Sequence, residues 1–202
     1  MNFFFNINFR TILIFKNILI YYIIKMVKNL ILFTDGSSTV FKDKKNLKYG
    51  GVGVFISKYS KYNISKPLVG NNVTNQICEL QACIDAILIF EKMKETNNKI
   101  KDWNVTIYSD SMYTIKSASE WAFKWKKNNW KKSDNKKIAN LELIKTLFKL
   151  TNKNKIKYIH VRSHQKEPSN KDSKEWKLWY GNDMADKLAN NAMKKSKKNY
   201  GK

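Results

Sequence analysis

The pattern of apolar and polar positions predicts three successive strands after residue 28. Residues 29–34 form a short apolar run closed by the polar turn sequence 35–37, as expected for a buried strand that ends in a turn. Residues 50–56 repeat this pattern, and residues 67–71 border a third strand. The connections between these runs predict an antiparallel meander.

The next segment has the spacing of an amphipathic helix. Apolar side chains recur along one face from Ile77 to Leu88, and either Thr74 or Asn75 can cap the start of the helix. Glu79 therefore lies one turn inside a capped helix.

The second half of the chain alternates between strand and helix patterns. Residues 104–109 are rich in β-formers, and the polar pair 110–111 can cap the helix that follows. Residues 138–150 and 182–193 have helical periodicity and flank a last strand at residues 155–161. The order of three strands, helix, strand, two helices, strand and helix predicts an α/β protein, a mixed sheet covered by helices.

Residues 1–27 differ from the rest of the chain because they are apolar and basic and contain no acid. Their longest apolar run, residues 18–24, is far shorter than the roughly 18 residues of a membrane span. A mitochondrial-type presequence, a weak signal anchor and a true start at Met26 all fit this pattern. The compartment, whether organellar or cytoplasmic and nuclear, and any membrane contact therefore depend on whether the segment is retained. We predict a folded domain over residues 28–195 and a basic tail over residues 196–202.

The charge balance narrows the range of partners. The chain carries 39 Lys plus Arg against 16 Asp plus Glu, a net charge of +23, which favours a polyanion such as nucleic acid. The alternative is a genome of biased composition that fills protein surfaces with Lys and Asn. With two His and two Cys, a structural zinc site is disfavoured, so any metal is expected to be hard and bound by oxygen.

Four acidic residues stand where they can converge. Asp35 and Asp110 each follow an apolar strand, and ligand sites in α/β sheets form outside such strand ends. Glu79 lies early in the first helix, and Asp186 lies near the predicted start of the last one. Taken singly, Asp35 or Asp110 is better explained by a cap or a turn. Clustered together, they would need divalent cations such as magnesium, calcium or manganese to offset their repulsion, and two such ions support phosphodiester hydrolysis.

A family resemblance rests on five short motifs that occur in order across residues 28–195. They resemble the successive signatures of type 1 ribonuclease H: Phe33-Thr-Asp-Gly-Ser37, Thr74-Asn-Gln-Ile-Cys-Glu79, Tyr108-Ser-Asp-Ser111, Ser163-His164 and Gly181-Asn-Asp-Met-Ala-Asp-Lys-Leu-Ala189. The resemblance implies a mixed five-stranded sheet, three antiparallel strands plus two parallel ones, flanked by helices. It implies endonucleolytic hydrolysis of the RNA strand of RNA/DNA hybrids with two Mg²⁺ ions, for which Mn²⁺ can substitute.

The resemblance also implies the roles of the acidic residues and of one histidine. It places the metal ligands at Asp35, Glu79, Asp110 and Asp186, and gives His164 a part in proton handling or product release. Asp183 precedes Asp186 by one turn, but the family pattern of Asn, two variable residues, a small residue and Asp selects Asp186. We expect Asp183 to be a first-turn acid at the positive end of the helix dipole. His160, within the last predicted strand, is expected to be structural.

An aromatic and basic stretch at residues 121–130 resembles the basic protrusion of bacterial-type ribonucleases H. Its lysines can contact the phosphates of the DNA strand without reading sequence, while its tryptophans pack on sugars or brace the protrusion. We expect both roles, with Trp125, Lys126, Lys127 and Trp130 nearest the substrate.

Polar residues near the catalytic acids are candidates for recognition of ribose. The family places polar side chains at Asn75 and Gln76 in the minor groove of the hybrid, where ribose hydroxyls are displayed. Gly36, Ser37 and Ser111 are expected to add contacts. For Asn75, a helix cap is the alternative.

Two departures from the family pattern stand out. The segment 165–180 is longer than usual and carries Trp176, Trp179 and Tyr180, which either contact substrate or pack over the site. Residues 1–27 are too short and apolar for a separate hybrid-binding module, so we expect none before the domain and therefore modest processivity. We also expect a monomer with no obligate protein partner. Two other functions are weighed: another two-metal nuclease or strand-transferase of the same fold, and a non-catalytic hybrid-binding module.

Overall fold

A computed structural model describes residues 28–40, 42 and 46–200. The expectations for the segment at residues 1–27 and for the last two residues of the chain therefore lie outside the described residues. Within the described part, no helix is long and apolar enough to cross a membrane.

Five strands form one mixed sheet, which confirms the predicted α/β fold. They are β1 (Asn29–Ser38), β2 (Lys48–Phe55), β3 (Ile64–Gly70), β4 (Asn104–Ser109) and β5 (Lys157–His160), in the order β3-β2-β1-β4-β5. β1 with β2 and β2 with β3 pair antiparallel, whereas β1 with β4 and β4 with β5 pair parallel. Pro67 lies in β3, an edge strand, where the missing N–H costs least.

The helices flank this sheet. They are α1 (Asn75–Thr96), α2 (Met112–Lys116), α3 (Ala122–Lys127), α4 (Leu141–Asn154) and α5 (Lys174–Tyr200), with a π-helical turn at Ser117–Trp121 joining α2 to α3. Thr74 caps α1, because its hydroxyl accepts a hydrogen bond from the Ile77 N–H at 3.2 Å. Of the two predicted caps, Thr74 is therefore the one used.

Two apolar clusters fix the helices to opposite faces of the sheet. Leu30 and Leu32 of β1 belong to the larger cluster, which packs against α1 and α4. Phe33, the next residue along, belongs to the smaller cluster, where its neighbours include Ala185 of α5. This alternation along one strand is the two-residue period of a sheet covered on both faces.

The last helix begins earlier than its periodicity suggested. It starts at Lys174 rather than at residue 182, because the Ser173 hydroxyl accepts a hydrogen bond from the Trp176 N–H at 3.0 Å and opens the helix there. Gly181, which directly precedes the predicted start, lies inside the helix. A Cβ at Gly181 would collide with the ring of Phe33, so glycine allows α5 to lie against β1.

The far end of α5 also differs from expectation. The helix continues to Tyr200, so the described part of the segment predicted as a basic tail is helical. Ser196 is buried within it and donates a hydrogen bond to the Leu68 carbonyl at 2.9 Å, which ties this end of the helix to β3.

Candidate active site

Three carboxyl groups meet at one edge of the sheet. Ligand oxygens of Asp35, Glu79 and Asp110 all lie within 4.8 Å of one another. The parallel pairing of β1 with β4 ends at Thr34 and Ser109, so Asp35 and Asp110 follow the last pair on neighbouring strands. Asp35 is nevertheless inside β1, which continues past it to Ser38 in its pairing with β2.

A close backbone approach brings Glu79 to this edge. A Cβ at Gly36 would collide with the backbone of Cys78 and Glu79, so the absent side chain lets α1 lie directly against β1. Glu79 is the fifth residue of α1 and is buried. Asp35 and Glu79 lie close enough for the charge of Asp35 to raise the pKa of Glu79.

Asp186 reaches the same edge from the opposite face. The β2 partner of Asp35 is Gly53, where a Cβ would collide with the Ala185 carbonyl, so α5 packs directly on the sheet. Asp186 borders a pocket together with Asp110, and its charge acts on both Asp35 and Asp110. It lies mid-helix rather than near the helix start, and outside the group of three carboxyls that meet within 4.8 Å.

A hydrogen-bonded residue that the sequence did not reveal orients Asp186. The Asn190 amide donates to Asp186 Oδ1 at 2.9 Å and accepts from the Ser37 hydroxyl at 2.6 Å. Asn190 therefore links the carboxylate to β1. Its spacing of four residues from Asp186, one helical turn, was the available signal.

The acids are held where their charged forms are costly. Burial, followed by the charges of Asp110 and Asp186, raises the pKa of Asp35 from 3.8 to about 8. Burial and then the charge of Asp35 raise the pKa of Glu79 well above its ordinary value. Burial also raises the pKa of Asp110. The nearby His164 and His160 lower this pKa and so reduce the rise.

This arrangement fits a hard divalent cation. The three converging groups offer only carboxylate oxygens, the donors that magnesium, calcium and manganese prefer. Glu79 Oε2 is buried and has no hydrogen-bond partner among the described residues, an unmet demand that a cation would satisfy. A cation would also offset the repulsion that raises the acid pKa values.

His164 lies in an exposed turn beside the acids. It borders the same pocket as Asp110 and Asp186, and its backbone is in the left-handed region with φ of 51°. His160, expected to be structural, is exposed at the end of β5 and also acts on Asp110. The structure thus brings both histidines near this acid.

Asp183 borders the same pocket as Asp186, but its carboxylate is paired with a lysine, which is not the role expected for it. Its carboxylate pairs with Lys187, one turn along α5, at 2.6 Å. The expected role at a helix start is wrong, because α5 begins nine residues earlier.

Of the candidate ribose contacts, two side chains are exposed and two are hydrogen-bonded within the protein. Asn75 and Gln76 are exposed in the first turn of α1, and the cap at Thr74 leaves the Asn75 side chain free of that role. Ser111 caps α2, accepting from the Thr114 N–H at 3.3 Å, and the Ser37 side chain is bonded to Asn190.

In the protrusion, residues 121–130, the tryptophans are half-buried and the lysines are exposed. Trp125 and Trp130 are half-buried against the larger core cluster, and Trp130 meets the Phe148 ring edge-on with centroids 6.0 Å apart. Lys126 and Lys127 are exposed. Lys126 Nζ lies over the Phe148 ring, 5.8 Å from its centroid. Both lysines nevertheless remain exposed to a ligand, while the tryptophans hold the element.

Three further residues line this pocket, and two of them, Arg162 and Asn182, were not anticipated. Asn182 is buried and its Oδ1 has no partner among the described residues, while Arg162 and Trp179 complete the pocket wall beside His164. Asn182 belongs to the last of the five motifs, so its position was a signal for it. Trp179 was expected either to contact substrate or to pack over the site, and it forms part of the pocket wall.

Known proteins resemble this chain over most of its length. The family model described as RNase H matches residues 27–194. The Ribonuclease H of Schizosaccharomyces pombe is 35% identical over 159 residues, covering 79% of this chain and 51% of that protein, so the chain spans about half of that relative. The Ribonuclease H of Ruthia magnifica is 31% identical over 169 residues, covering 84% of this chain and 98% of that protein.

Solved structures share the fold. The PFV RNase H domain is 22% identical with a TM-score of 0.58, covering 82% of this chain and 94% of that chain. A foamy viral protease-reverse transcriptase, solved in complex with an RNA/DNA hybrid, is 19% identical with a TM-score of 0.55, covering 83% of this chain and 20% of that one. These structures show the fold, and the family match together with the sequence relatives establishes that the chain belongs to the ribonuclease H family of endonucleolytic hydrolases.

Proposed function

We propose that this protein cuts the RNA strand of RNA/DNA hybrids at the edge of the sheet where the carboxyl groups meet. The observation that carries this proposal is the convergence of Asp35, Glu79 and Asp110 within 4.8 Å, with one buried Glu79 oxygen unpartnered among the described residues, in a ribonuclease H fold. The bonded network from Asp186 through Asn190 supports the fourth acid as part of the same site.

Asp35, Glu79, Asp110 and Asp186 are the proposed ligands of two Mg²⁺ ions, with Mn²⁺ as a substitute. Such ions, when bound, polarise the scissile phosphate, activate water and stabilise the departing oxygen. The chain contributes a partly buried cluster of oxygen donors. Their fixed geometry comes from the backbone contacts at Gly36 and Gly53.

His164 is the proposed proton carrier. Its exposure beside Asp110 allows it to take a proton from water or give one to the departing oxygen. It is not proposed as a metal ligand.

Recognition of the hybrid is proposed to use two surfaces. Asn75 and Gln76, exposed in the first turn of α1, offer amides to ribose hydroxyls, with Gly36, Ser37 and Ser111 adjoining the acids. Lys126 and Lys127 are proposed to contact phosphates, and Trp125 and Trp130 to brace them and pack on sugars.

The catalytic unit is assigned to residues 28–195, and we propose that it acts as a monomer. The net charge of +23 is accounted for by a nucleic acid ligand without a second subunit. Sedimentation of the chain with and without a short hybrid tests this, and a dimer in both samples would contradict it.

The ligand assignment is tested by two matched variants on one helix. Asp186→Asn should lower metal-dependent cleavage of a hybrid by at least about 100-fold, because a metal ligand is removed. Asp183→Asn removes an acid one turn away that is paired with Lys187, and should leave the rate within about twofold. Equal losses in both variants, or the reverse order, would overturn the assignment.

A further inference from the structure

The segment after His164 is held by tryptophans that the catalytic motifs do not include. The early start of α5 adds about two turns before Gly181, and this extension carries Trp176, Trp179 and Tyr180. We call it the aromatic extension, residues 174–180. Trp176 and Tyr180 stack with ring centroids 4.8 Å apart and planes 9° apart.

Two indole N–H groups of the aromatic extension bond to the chain that follows His164. Trp179 Nε1 donates to the Gln165 carbonyl at 2.9 Å, and Trp176 Nε1 donates to Glu167 Oε1 at 2.9 Å. The two acceptors therefore lie one and three residues after His164. Trp179 also borders the pocket that His164 faces.

The aromatic extension is in turn fixed to the body of the protein. Tyr180 meets the ring of Phe55 in β2 edge-on, with centroids 5.7 Å apart. Phe55 and Phe33 belong to the apolar cluster beneath α5. Trp176 in turn lies beside Trp179, with ring centroids 6.3 Å apart, so a continuous path of neighbouring rings runs from the sheet to both indole donors.

His164 needs such support because its backbone conformation is an uncommon one in an exposed turn. Its φ of 51° lies in the left-handed region, which is uncommon for residues other than glycine, although asparagine, aspartate and histidine adopt it more often than the rest. Backbone in this region persists where the surrounding structure holds it.

We propose that Trp179, assisted by Trp176, is a positioning residue that holds the His164 turn against the carboxyl site. This inference rests on the proposed function of His164. Trp179 acts through the turn and not on the substrate, so its loss should lower kcat while leaving KM unchanged.

A double-mutant cycle tests this coupling. Trp179→Phe keeps the ring and removes the donor, and should lower kcat for hybrid cleavage about fivefold, the effect of losing one net hydrogen bond. In a His164→Ala background the same change should lower kcat by less than about twofold, since the group being positioned is gone. Equal effects in both backgrounds, or a rise in KM alone, would overturn the proposal.

Two control comparisons separate the lost bond from a general loss of packing. Trp103→Phe removes an indole N–H that has no partner among the described residues, and should leave kcat unchanged. Glu167→Gln keeps an acceptor oxygen for Trp176 and should have the kcat of the wild type. Glu167→Ala removes the acceptor and should lower kcat, but by less than Trp179→Phe does. Loss of kcat in Trp103→Phe equal to that in Trp179→Phe would count against the proposal.

Limited proteolysis provides a readout that needs no cleavage activity. Trypsin should cut after Arg162 and Lys166, on either side of the turn, about fivefold faster in Trp179→Phe than in the wild type. Unchanged cutting rates would refute the tether. Absence of hybrid cleavage by the wild type would instead refute the proposed function, so the two failures are distinguishable.

Discussion

Asp35→Asn should stabilise the metal-free protein at neutral pH while it removes activity. The pKa of Asp35 is raised from 3.8 to about 8, so between these values the folded chain keeps a proton that the unfolded chain releases. Raising the pH through this window therefore destabilises the folded state, by about 1.4 kcal/mol per pH unit for one such group. Between about pH 5 and about pH 7, the ionisation of Asp35 in the unfolded chain lowers the free energy of unfolding by about 3 kcal/mol. Asparagine does not titrate, so Asp35→Asn lacks this decrease.

Urea unfolding in the presence of a chelator, at about pH 5, 6 and 7, measures this difference. The free energy of unfolding of the wild type should fall more steeply with pH than that of Asp35→Asn, and the variant should be the more stable at neutral pH. Glu79 and Asp110 also have raised pKa values, so the variant should keep a smaller slope of the same sign. The matched control is Asp183→Asn, which removes an acid that is paired with Lys187. Its free energy of unfolding should change with pH as that of the wild type does. Parallel slopes for the wild type and Asp35→Asn would refute the reasoning.

Three further changes have defined outcomes. The double variant Lys126→Ala, Lys127→Ala should reduce the slope of log affinity for hybrid against log salt concentration by roughly 0.9 for each phosphate that it no longer neutralises. The control Lys153→Ala removes a lysine that is paired with Glu91, and should leave the slope unchanged. Equal slopes for all three proteins would contradict a role for Lys126 and Lys127 in phosphate binding. Gly36→Ala should lower the free energy of unfolding by about 1–3 kcal/mol and abolish cleavage, because its Cβ meets the backbone of α1. Gly70→Ala, whose Cβ would lie at an ordinary packing distance of 3.7 Å from Val73, should do neither, and a fully active Gly36→Ala would be incompatible with the close approach. Asn190→Leu should raise the half-saturating Mg²⁺ concentration for cleavage by about tenfold or more, because Asp186 loses its hydrogen-bond donor. An unchanged half-saturating concentration would show that Asn190 does not orient Asp186.

The sheet and three of the acids could be predicted because local signals determined them. Apolar runs ending in Asp35 and Asp110 indicated two strands, and parallel neighbours place such ends at one edge. Glu79 followed from a capped helix of regular periodicity. In each case a short window of sequence carried the relevant information.

The remaining features depend on contacts between distant parts of the chain. The bond from Ser37 to Asn190 spans 153 residues and exists only because α5 docks against glycines of β2. The true start of α5 was missed because the helix was placed from apolar periodicity that begins at Ala185, whereas its first turns are opened by the Ser173 cap. Gly181 fits inside the helix because it lies against Phe33. Hydrophobic periodicity reports which face of an element is buried, but not which partner it meets.

The central claim is tested most directly by offering the purified protein end-labelled RNA/DNA hybrid, double-stranded RNA, double-stranded DNA and both single strands. Each is incubated with Mg²⁺, with Mn²⁺ or with a chelator, in parallel with Asp35→Asn. We predict internal cuts confined to the RNA strand of the hybrid, dependent on the metal and absent in the variant. Cleavage of DNA, or cleavage by Asp35→Asn equal to that of the wild type, would contradict the account.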